Sequence, residues 1–228
     1  MPAAAYAAAS ERLAEEAASS AAAAFSAQAQ IARWRGHHLL AADLAARGLE
    51  SNPPPELRTL LTYQEAVGAA AGQMASRARA ALERAEASDD NVTFYSAWSC
   101  PPDRRALFRM AVPLNLGEPQ EALRLAAEAE PIWQKERSRA FGTWAHFRIA
   151  VASAHILVGS VEAAIEQVSP VLDLPQEYRI STLTGHFSTL NALLEDRRFN
   201  KSQEVASLRE MLSGFKDSTS EPANGEDG

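Results

Sequence analysis

The 228-residue chain has a single cysteine, Cys100, so no disulfide can form within it, and this usage fits a reducing compartment. Glycine is scarce, 11 residues in all, and strand-forming residues are few beside the alanine that fills the sequence. Alanine is the best helix former, and its small side chain lets helices approach closely. The chain therefore reads as all-α. Long apolar runs are missing as well. The best, Ile149 to Val158, is broken by Ser153 and His155 and falls far short of the ~20 residues that a spanning helix needs. The apolar start, Met1-Pro2-Ala3-Ala4-Ala5-Tyr6, lacks the basic segment of a signal peptide, so the expected location is cytoplasmic and no membrane partner is expected. Positive charge is short too: 22 basic residues face 29 acidic ones, a net charge of −7. That balance lacks the basic footprint of a nucleic-acid binder.

What is present is a repeat. Gly36, Gly72, Gly117 and Gly159 each end an apolar-periodic segment, at spacings of 36, 45 and 42 residues. A helical pattern of about four turns precedes each glycine and another follows. The clearest copy is Leu116-Gly117-Glu118-Pro119-Gln120-Glu121-Ala122-Leu123. Here glycine ends one helix in a left-handed cap, Pro119 opens the next, and Ala122 lies five places after the glycine. Gly159 with Ala164 and Gly36 with Ala41 repeat this arrangement, and Pro53 follows where the second helix of the first pair should end. The copy at Gly72 needs a one-residue shift to place Ala78.

This pattern resembles the tetratricopeptide repeat, a pair of antiparallel helices in which small residues at fixed positions permit close packing. Those positions hold Ala29, Ala41, Gly48 and Pro53 in the first copy, Met110, Ala122 and Ala129 in the third, and Ala152 and Ala164 in the fourth. The resemblance implies a right-handed superhelical array of about four helix pairs plus capping helices. An irregular helical bundle is the alternative. The expected helices are an Ala-rich one over Ala3–Ser19, then pairs near 20–35/38–51, 56–71/74–87, 102–116/119–137 and 140–158/160–173. Two more, near 178–195 and 201–215, close the array, with Arg198, Lys201, Glu204, Arg209 and Glu210 as a polar capping face. Residues 1–215 thus form one repeat domain with an irregular insertion at 89–102 and a C-terminal cap at 176–215. The insertion carries Phe94, Tyr95, Trp98 and Cys100 and ends in Pro101-Pro102-Asp103, a helix-start signal. Residues 216–228 are too polar to bury a core and are expected to be a disordered tail.

From Trp98 to Phe215 the chain also resembles the sensor region of bacterial XRE-type helix-turn-helix transcriptional regulators. The resemblance rests on Trp98-Ser99-Cys100-Pro101-Pro102, Gly142-Thr143-Trp144-Ala145, the run from Tyr178 to Gly185, Asp196-Arg197-Arg198-Phe199 and Leu208-Arg209-Glu210. In that family a DNA-reading domain precedes a tetratricopeptide array that senses a partner. This chain has no helix-turn-helix, and Glu11, Glu15 and Glu16 in its first helix would repel phosphate. It reads as a fragment or a divergent paralogue, or else its DNA-binding partner is a separate protein.

Chemistry-bearing constellations are missing. His37 and His38 are adjacent, ~100° apart on a helix, and read as a helix-start pair beside Gly36. His146 and His155 lie more than two turns apart, His186 sits alone, and Cys100 stands among prolines, so no zinc set is expected. Thr184-Gly185-His186-Phe187-Ser188 lacks the spacing of a nucleophile elbow, and no phosphate loop is present. Neither catalysis nor a cofactor is expected. Trp98 and Trp144 are the better functional candidates among the tryptophans, core anchoring being the plainer role. Trp34 and Trp133 are expected to pack between repeats.

Two functions from different classes remain. The first is a binding module whose concave face, lined by the first helix of each pair, takes a protein or peptide partner. Helical projection places Gln30, Arg33, Tyr63, Gln64, Arg104, Phe108, His146 and Ser153 on that face. The second is a scaffold or oligomerisation protein, a homodimer joined through Ile180, Leu183, Phe187, Leu190, Leu194 and Leu208.

Overall fold

The structure, a computed structural model, describes residues 21–88, 96–136, 141–175, 181–199 and 202–219, and every regular element among them is helical. Helix α1 covers 21–34, followed by α2 (His38–Glu50), α3 (Pro55–Ala71), α4 (Ala75–Glu86) and α5 (Pro102–Asn115). Then come α6 (Pro119–Glu136), α7 (Phe141–Leu157), α8 (Val161–Leu172), α9 (Ser181–Leu193), a 3-10 turn at Arg197–Phe199 and α10 (Gln203–Thr219). The expected pairs are met to within a few residues. The Ala3–Ser19 helix and residues 89–95 of the insertion lie outside the described residues. Helix α10 runs four residues past the boundary expected at 215, because the sequence has no breaker there before Pro222.

Four turns repeat one geometry. Gly36, Gly117 and Gly159 take φ of 77°, 77° and 87°, as left-handed helix ends require. In the second copy the left-handed residue is Gln73 (φ 60°), whereas Gly72 has φ −82°. At all four turns the left-handed residue's N–H donates three residues back. The next N–H donates five back, at 2.8–3.2 Å, the paired bonds of a Schellman motif. Counted from the left-handed residue, the small residue stands five places on every time: Ala41, Ala78, Ala122 and Ala164, each 0–2% exposed. The one-residue shift in the second copy is thus a shift of the turn itself.

The chain divides into two compact units, Met1–Glu118 and Pro119–Gly228. The boundary falls inside the third expected pair. In the first unit α3 is central, packed on α2, α4 and α5, and every residue from Thr59 to Ala70 is buried. Two of the polar side chains buried on α3 are paired across helices. The Gln64 amide exchanges bonds with Ser26 of α1, and the Glu65 carboxylate accepts from Arg77 (2.9 Å) and Arg84 (2.7 Å) of α4. Arg77 also pairs with Asp43 and donates to the Ala42 carbonyl, joining α2 to the network. In the second unit α7 is central, meeting α6, α8 and α9, while α10 packs on α8 and α9.

Among the residues expected to form a dimer seam, Leu183, Phe187, Leu190, Leu194 and Leu208 are buried within the second unit. They are spent on its own core and offer no seam. Ile180 lies outside the described residues. Trp133 is buried as expected, tilted against Phe147 at 4.7 Å, but Trp34 is 51% exposed and packs between no repeats. Among the described residues no helix is long and apolar enough to cross a membrane.

Candidate functional site

In the first unit, α1, α3 and α5 supply six of the projected residues, and they fall into two layers. Tyr63, Gln64 and Phe108 are buried. Tyr63 and Phe108 stack at 5.7 Å with 23° between the rings, and burial, followed by the charges of Cys100 and Glu86, pushes the Tyr63 phenol up to about 12. These three are core, not a contact surface. Helical projection gives the direction of a side chain but not what closes over it.

Gln30, Arg33 and Arg104 are half-buried and lie nearer solvent. Arg104 donates to the carbonyls of Ser99 (2.8 Å) and Ala97 (3.3 Å), and its neighbour Arg105 donates to that of Cys100 (2.7 Å). These bonds clasp the 96–100 segment onto α5 and hold Trp98 out at 41% exposure. Burial pushes the Cys100 thiol beneath it up to about 12, so the cysteine is an inert core residue. Among the described residues the Arg33 guanidinium has neither a hydrogen bond nor an ion pair. Burial, with the like charge of Arg104 added, brings its guanidinium down to about 10. An arginine desolvated without a carboxylate has electrostatic capacity that no group among the described residues uses.

In the second unit the two projected residues take other roles. Ser153 is half-buried and donates to the Ile149 carbonyl (2.9 Å), a local helix bond. His146 lies against His186, with ring centroids 4.4 Å apart and planes at 48°. Forty residues separate them, so no spacing rule could have joined them. A second arrangement was equally hidden. Arg148 of α7 donates to Glu130 of α6 (2.6 Å) and Gln167 of α8 (2.9 Å), and lies 6.0 Å from the centroid of the Trp144 ring. Only the Trp144–Arg148 spacing, four residues on one helix, was visible in the sequence. Among the described residues no group of three or more His, Cys, Asp or Glu side chains could hold a metal.

Comparison with known families, proteins and solved structures finds no match to this chain.

Proposed function

We propose that the chain is a protein- or peptide-binding module of the tetratricopeptide type, its helix pairs coiled into a right-handed array, and that it serves as the sensor part of a bacterial XRE-type transcriptional regulator. The observation that carries this reading is the turn repeated four times. Each copy has a left-handed residue, two Schellman bonds and an enclosed alanine five places on. Units built this way stack on their chain neighbours and present a long inner surface suited to an extended peptide. Arg33 gives the first unit's part of that surface a preference. A half-buried guanidinium without a carboxylate among the described residues favours a ligand that brings one.

The test is capture of partners by the full chain, followed by titration of the recovered peptide segment. Arg33→Ala should weaken binding tenfold or more and leave the melting temperature unchanged. Failure to capture any protein or peptide, or an unchanged affinity in Arg33→Ala, overturns the reading. One observation favours a scaffold instead. Ile31, Trp34, Leu39, Leu40 and Met74 are large, apolar and exposed around the first two turns, and a second copy could cover them. Light scattering on the same preparation separates the two, since the scaffold reading requires a self-associated species that Trp34→Ser dissolves.

A further inference from the structure

We propose that the groove between α6, α7 and α8 is a second binding site, one that takes a basic side chain, arginine before lysine, from a peptide or protein partner. The groove is a cavity of about 400 Å³, at the small end of ligand pockets and suited to one residue with its backbone. Arg148 already shows which chemistry it favours. It carries a guanidinium between the Glu130 carboxylate and the Gln167 amide oxygen, beside the Trp144 ring.

Two groups are left over after Arg148 is satisfied. The first is the Glu166 carboxylate, which lines the groove and has no hydrogen bond or ion pair among the described residues. With Glu130 and Arg148 it gives the lining a formal charge of −1. His155 lies within electrostatic reach of Glu166, but burial holds its pKa below the usual histidine range, so at pH 7 it is neutral and brings the carboxylate no charge. The second is the Nε1–H of Trp133, buried in a side chain only 1% exposed and without an acceptor among the described residues. Within one lining, a carboxylate without a cation and an N–H without an acceptor among the described residues are the complement of a basic residue within a peptide. The side chain brings the charge and the backbone brings the carbonyl. Guanidinium is preferred to ammonium because it is planar, forks onto carboxylates and stacks on indole faces.

Calorimetric titration of the full chain with acetyl-Gly-Arg-Gly-amide, and with its Lys, Gln and Glu counterparts, tests this. The expected result is saturable one-to-one binding of the Arg peptide, weaker binding of Lys, and none of Gln or Glu. Glu166→Gln, at an exposed position, should weaken the Arg peptide tenfold or more with an unchanged melt, and Glu166→Asp should restore part of the loss. Arg33→Ala should leave this binding intact, which separates the site from the inner surface of the first unit. No saturation by the Arg peptide, equal binding of the Glu peptide, or an unaffected Glu166→Gln variant overturns the proposal.

Discussion

Gly68 stands in α3 where an added Cβ would come 2.9 Å from the backbone nitrogen of Ala42 and 3.1 Å from the carbonyl oxygen of His38. Replacing a helical glycine by alanine ordinarily gains ~0.5–1 kcal/mol. Here the new methyl meets backbone that cannot turn aside, and overpacking of that kind costs ~1–3 kcal/mol. Gly68→Ala should therefore destabilise the chain by a net ~1–2 kcal/mol in urea denaturation, despite its better propensity. Gly36→Ala has open space around the added Cβ and should lose only about 1 kcal/mol, from its left-handed φ of 77°. A raised midpoint for Gly68→Ala would mean that α2 and α3 do not approach so closely. The pair also marks what a sequence can and cannot say about one residue. Gly36, Gly117 and Gly159 were legible as left-handed caps, since spacing and a following helix pattern single them out. Gly72 looked the same but serves a neighbour: the Leu39 side chain occupies the space where its Cβ would be. The left-handed role passes to Gln73, whose amide donates to the Asn115 carbonyl (2.8 Å). Residue type alone does not reveal which of two constraints chose it.

A helix boundary is a local matter, and nearly all of them could be read from Pro, Gly and apolar periodicity. Pro101 and Pro54 are extended residues leading into helices that open on Pro102 and Pro55, as fixed proline φ dictates. What closes a helix from outside could not be read. Arg198 donates to the last carbonyls of α7, those of Leu157 and Ile156, both at 3.1 Å and from more than forty residues away. Its charge there also suits the helix dipole. The alanine that follows each turn is the most sequence-legible packing feature, and it can be tested directly. Ala122 and Ala164 are fully enclosed, on the second helices of the third and fourth copies. Ala122→Trp and Ala164→Trp should each cost about 1–3 kcal/mol or more, read as a lowered melting midpoint by circular dichroism. Both alanines lie in the second unit, while the first has a core of its own, so part of the helical signal should survive the lowered transition. Unchanged midpoints in both variants would show that the repeat register is misassigned.

At the scale of the whole molecule, the distribution of charge decides what the chain binds by itself. Affinity for duplex DNA comes largely from neutralising phosphates, and each contact needs a free, placed Lys or Arg. Acidic residues already outnumber basic ones 29 to 22, and the structure shows many arginines occupied within the fold. Arg77 and Arg84 hold Glu65, Arg79 pairs with Glu118, Arg109 with Glu86, Arg148 with Glu130, and Arg124 with Glu121 and Glu128. Arg104, Arg105 and Arg198 donate to backbone carbonyls instead. A phosphate recruiting any of these would first break an internal bond, and Arg33 with its half-buried guanidinium offers one charge, not a tract. The chain alone should therefore show no measurable binding to duplex DNA, even if it serves a regulatory pathway through a separate DNA-reading partner. Fluorescence anisotropy against labelled duplexes at low salt is the most demanding check, because low ionic strength exaggerates electrostatic attraction. Saturable binding at micromolar concentration or tighter, weakened by added salt, would overturn the expectation and make the chain a direct DNA reader.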